Sequence, residues 1–111
     1  MAFKECRERI LAAKPALDDL HERVQGLNAA WSKETSERSV PTECRTKMAD
    51  FLLAYDQYLT AEDKIFALLQ SMDSPQRVRE SKSSFDEAAN QEDVAVNALH
   101  QAGVGNVCDG Y

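Results

Sequence analysis

The sequence predicts an all-α fold, an elongated up-down-up bundle of three helices with heptad-type packing. Three observations predict it. Phe3, Cys6, Ile10, Ala13, Leu17, Leu20, Val24, Leu27 and Trp31 follow one another at alternating steps of three and four. Their mean spacing of about 3.5 residues is the period of helices that pack lengthwise. Only four Gly and three Pro are spread over 111 residues, so turns are few and elements long. Ala, Leu, Glu, Lys and Gln are common while Val, Ile and Thr together are sparse, which favours helix over sheet. A chain of this size forms one domain with enough core to need neither metal nor disulfide.

The first helix is expected over about residues 2–33. Lys4, Glu5, Arg7, Glu8, Lys14, Asp18, Asp19, Glu22 and Arg23 lie off the stripe and give it a polar face. Pro15 removes one backbone hydrogen bond and clashes with the preceding turn. The heptad phase runs through it unbroken, which predicts one kinked helix. Residues 34–42 are polar, aperiodic and contain Pro41, so they read as a loop.

The second helix is expected over about 41–71, with Pro41 in its first turn. It carries two stripes: Cys44, Met48, Phe51, Tyr55, Tyr58, Ile65 and Leu69, then Leu52, Leu59 and Phe66. Leu53 and Leu68 lie outside both. So wide an apolar face must touch more than one neighbour. Asp73 or Ser74 can cap the third helix, with Pro75 in its first turn. With Asp73 as the cap, Gln76 takes the return position of a capping box.

The third helix is expected over about 75–102. Its stripe of Val78, Ser81, Phe85, Ala88, Glu92, Ala95, Leu99 and Ala102 has the right period but is thin. It should be the least firmly attached element. Gly103 ends it, closing a domain over 1–103, and residues 104–111 read as a flexible tail.

Charge narrows the partners. The net charge is −6, and residues 83–111 carry five acids and no Lys or Arg. Such a surface disfavours nucleic-acid phosphates and anionic lipid. Apolar runs such as Phe51–Tyr55 are too short to cross a membrane. The charged N-terminal stretch lacks the apolar region of a signal peptide. The expectation is a cytoplasmic protein with reduced cysteines.

Candidate sites are few. An up-down-up layout gathers Trp31, Cys44 and Cys108 at one pole and leaves Cys6 at the other. Cys44 and Cys108 are placed to pair under oxidation or to help hold a metal, but no Cys-x-x-Cys spacing supports a metal. Cys6 and Cys44 hold stripe positions and are expected as small buried hydrophobes. Cys108 is expected to be exposed and to react with thiol reagents. Asp18 and His21 have the spacing of half a di-iron site, but Asn97 before His100 offers no second half. Both histidines are expected at solvated edges of the apolar stripes. Glu62 and Glu92 fall on stripes, yet lie about 12 Å out of register along the helices, too far for joint acid–base chemistry. No Gly-rich phosphate loop, serine elbow or His-Glu-x-x-His occurs. No catalytic, metal or cofactor residue is assigned.

The first functional expectation is therefore a non-enzymatic protein-binding module: an adaptor, chaperone or assembly subunit. Its contact would be the wide face of the second helix through Tyr55, Tyr58, Leu59 and Phe66, meeting another protein or a second copy of the chain. The competing reading of those residues is that they face both neighbouring helices at once. The second expectation is an acidic inhibitor or immunity-type protein using Asp86, Glu87, Glu92 and Asp93 against a basic surface.

One resemblance adds a third reading. Leu20-His21-Glu22-Arg23-Val24-Gln25-Gly26-Leu27-Asn28-Ala29-Ala30-Trp31 resembles a helix of the spectrin repeat, and Phe85-Asp86, Val96-Asn97, Leu99 and Gly103 resemble another. Together they cover about a third of the chain. The second and third helices lie closer in sequence than in that family, and the helix order is shifted. The resemblance implies a structural spacer.

Overall fold

The computed structural model describes residues 3–103, 105 and 107–109. The protein is an elongated helical bundle of 55 × 23 × 20 Å with a radius of gyration of 17.8 Å. In chain order its helices are α1 (Phe3–Leu11), α2 (Lys14–Glu37), α3 (Thr42–Ser71), α4 (Pro75–Glu80) and α5 (Lys82–Gln101). They make three arms, α1–α2, α3 and α4–α5. Among the described residues, no helix is long and apolar enough to cross a membrane.

Two of the arms are divided. Pro15 falls in the first turn of α2 and has no N–H to offer the preceding turn. The chain answers with a tight turn in which the Ala13 N–H bonds the Ile10 carbonyl at 3.0 Å. The expected single kinked helix is thus two helices that part at Ala12 and Ala13. The third arm divides at Ser81, whose φ of −93° and ψ of −1° depart from ideal helix. Ser81 still accepts from the Phe85 N–H at 2.9 Å, so the arm bends without breaking.

The boundary before α4 is capped by Ser74, whose hydroxyl accepts from the Arg77 N–H at 3.2 Å, with Pro75 in the first turn. Asp73 is not the cap, and Gln76 bonds Glu80 instead of closing a capping box. At the other connection Arg45 donates to the Thr35 carbonyl at 3.0 Å, joining the start of α3 to the end of α2.

α3 is the central element. Leu17 and Val24 of α2 meet Leu59 and Phe66 of α3 in one cluster, with Leu11, Leu20, Tyr55 and Tyr58 packed around it. The contact with α5 is more extensive still. It is a seam of small residues: Ala54 and Ala61 on α3, Ala88 and Ala95 on α5, and Ala102 beyond, all buried. The alanine-rich stripe that suggested weak attachment of the third arm has the opposite consequence. Small side chains let two helix backbones approach closely, so dispersion contacts replace bulky burial.

The first arm is less covered than its stripe suggests. Phe3, Ile10 and Leu27 are exposed at 37%, 41% and 40%, and α1 contains no buried residue. The tail expected over 104–111 falls partly on residues 104, 106, 110 and 111, outside the described ones. Among the described residues there, Cys108 is fastened to α3.

Candidate interaction surfaces

The cysteines organise the two ends. Cys44, in the first turn of α3, is fully buried and forms a disulfide with Cys108 across a Cα–Cα distance of 4.9 Å. The expected polar grouping of these two residues is therefore a covalent tie. Three expectations need correction. The cysteines are not all reduced. Cys108 is not the reactive thiol, because its sulfur is already bonded. Cys6 is exposed rather than buried, and it alone of the three cysteines is free. Its surroundings explain this: the stripe of α1 borders an open hollow at the α3–α4 turn, which leaves Cys6 exposed. Among the described residues, no group of three or more His, Cys, Asp or Glu is placed to hold a metal.

The wide face of α3 is consumed by its neighbours. Leu59 is 3% exposed and Phe66 is 6% exposed, both in the core against α2. They cannot reach a partner while the bundle is closed, which removes them from the expected contact set. Tyr55 and Tyr58 are half-buried, stacked edge to face at 6.4 Å between ring centroids. Burial raises the Tyr58 phenol above its ordinary value, and the negative field of Glu92 and the neighbouring Tyr55 add to this.

The four acids of α5 do not form one surface. Seven residues apart, Asp86 and Asp93 share the side opposite the alanine seam. Glu87 and Glu92 flank the seam on opposite sides. Asp86 is paired with Lys82 at 2.6 Å, and Glu92 is half-buried. The remaining titratable candidates are structural in placement. His21 hydrogen-bonds Asp63 at 2.9 Å, bridging α2 to α3, while His100 is exposed and Glu62 half-buried.

What the molecule leaves open lies elsewhere. Leu53 of α3 and Val94 of α5 are 58% and 59% exposed, the most exposed large apolar residues among the described ones. Along α3, Leu53, Gln57, Thr60 and Lys64 share a side turned away from α2. Two hollows of about 380 and 330 Å³ run between α3 and α5 on that side and meet at Gln57. Leu53 and Ala98 line the first, Thr60 and Val94 the second. Leu53 carried a sequence signal, since it belongs to neither stripe of the second helix. Val94 carried one too, lying beside Ala95 and off the stripe of its arm.

Compared with protein families, curated proteins and solved structures, the chain matches none.

Proposed function

We propose that the protein is a non-enzymatic protein-binding module whose contact is the outer groove between α3 and α5. The observation that supports this is the exposure of Leu53 and Val94 on neighbouring stretches of one groove. Apolar side chains held out by rigid helices, bordered by Gln57, Thr60 and Gln91, suit a protein surface of mixed character. The partner is another protein or a second copy of this chain. The bonded Cys44–Cys108 pair favours an oxidising compartment over the cytoplasm.

Compared with the four residues named from the sequence, this contact keeps the central helix and changes its side. Leu53→Glu combined with Val94→Glu places two charges on the groove without entering the core. Sedimentation of the oxidised protein from micromolar to millimolar concentration tests a second copy. Capture from an extract of the source organism tests another protein. Association should fall by at least about tenfold in the double variant while its helical content is unchanged. Undiminished association by the folded double variant contradicts the reading.

A further inference from the structure

One hollow lies away from the proposed contact face. It is at the pole opposite the disulfide, where α1 crosses the α3–α4 turn, and holds about 430 Å³. Small-molecule sites generally occupy about 300–1,000 Å³. Its wall is hydrocarbon: Phe3 and Ile10 from α1, Leu69 and Met72 at the end of α3, Val78 of α4 and Phe85 of α5. The charged residues that line it are all cations, Arg7, Arg79 and Lys82, with no Asp or Glu among the lining.

These cations differ in availability. The Arg7 guanidinium donates to the Leu69 and Gln70 carbonyls at 3.0 and 2.7 Å, so it closes the end of α3. The Lys82 ammonium is held by Asp86 at 2.6 Å. Arg79 makes no ion pair or side-chain hydrogen bond among the described residues and is exposed at the rim. A chain with net charge −6 thus places three cations, and no acid, among the residues lining this apolar hollow.

We infer that this cleft binds a single-chain amphiphile with an anionic head, of the fatty-acid type. The acyl chain lies between α1 and the α3–α4 turn. The carboxylate takes the Arg79 guanidinium, with Lys82 within the same rim. Charge complementarity selects the head, and the carbon-lined wall selects the chain. Cys108 lies at the far end of α3 from the cleft: its disulfide holds it at Cys44, and the stretch of helix from Cys44 to Leu69 spans about 38 Å.

The free thiol supplies the assay, because Cys6 lines the cleft and is the one cysteine open to a thiol reagent. Oxidised protein is titrated with decanoate, dodecanoate and tetradecanoate below their micellar concentrations, by calorimetry and by the rate of Cys6 alkylation. Saturable binding is expected, tightening about fourfold per added methylene until the cleft is filled. Alkylation of Cys6 should slow in step with occupancy. Arg79→Gln should weaken dodecanoate about tenfold and leave dodecanol unchanged.

No saturable binding, or tightening without Cys6 protection, overturns the site. Equal losses for dodecanoate and dodecanol in Arg79→Gln overturn the choice of head group. Protection of Cys6 only on self-association, with no fatty-acid heat, makes the cleft a protein contact and also overturns the inference. The Leu53→Glu, Val94→Glu variant should bind dodecanoate normally, so this inference and the proposed protein contact fail independently.

Discussion

The two ends of the bundle treat the same residue type in opposite ways. Cys44 is fully buried, bonded to Cys108, and accompanied by buried Val40 and Ala102. Cys6 sits on an equally regular heptad stripe but is exposed and free, with exposed Phe3 and Ile10 beside it. The difference teaches that a stripe states which side of a helix can be buried, and the neighbour decides whether it is. α3 runs beside both other arms, so its stripes find partners. α1 is parted from α2 at Ala12 and Ala13, and its stripe borders a turn and a hollow.

The largest expected contrast comes from the disulfide. It closes a separation of 64 residues, and loop-closure entropy puts its contribution at about 4 kcal/mol. Urea unfolding of Cys108→Ala, or of the reduced wild type, should show that loss. Cys6→Ala, at the other end, should leave the midpoint unchanged.

A smaller contrast separates the alanine seam from α1. Ala95 is 1% exposed, and Ala95→Leu must force α3 and α5 apart, costing about 1–3 kcal/mol. Ile10→Ala changes the side chain by the same three carbons yet should cost no more than about 0.5 kcal/mol, because Ile10 is exposed. Thermal unfolding monitored by helical circular dichroism distinguishes the two. An equal loss from both would mean that α1 packs as tightly as α5.

The smallest effect is at alkaline pH. The Tyr58 phenol is raised in the folded state above its ordinary value of 10.0. In the unfolded chain it releases its proton first, so the folded state holds more protons and stability falls as pH rises above about 10. Its contribution is complete below that pH. Tyr58→Phe should flatten this part of the stability profile, measured by urea unfolding between pH 9 and 11. Glu92→Gln should lower the Tyr58 value, read from phenolate absorbance.

Much of the fold was legible in the sequence, because it is written in periodicity. The three arms, the loop around Pro41 and the break at Pro75 follow from apolar spacing and from residues that cannot continue a helix. Placing Cys44 and Cys108 at one pole followed from topology alone. The division at Ala12 and Ala13 was not legible, since a proline permits either a kink or a break and the surrounding packing chooses. The tightness of the α3–α5 seam was misread because alanine contributes little area, while its benefit is the closeness of two backbones. The candidate contact was hardest to see. Leu59 and Phe66 look the same in sequence whether they face a partner or the core, and only the position of α2 separates the cases. Leu53 was marked by lying off both stripes, whereas Arg79 carried no signal until α1 and α4 met around one hollow.

Hydrogen exchange of the oxidised protein, read by mass spectrometry of peptides, tests the inequality of the two ends most directly. Amides of Phe3–Leu11 should exchange far faster than those of α3 and α5, whose protection should be similar and the highest in the chain. Protection of α1 equal to that of α3, or α5 exchanging before α1, would contradict the assignment of the α3–α5 pair as the rigid body of the molecule.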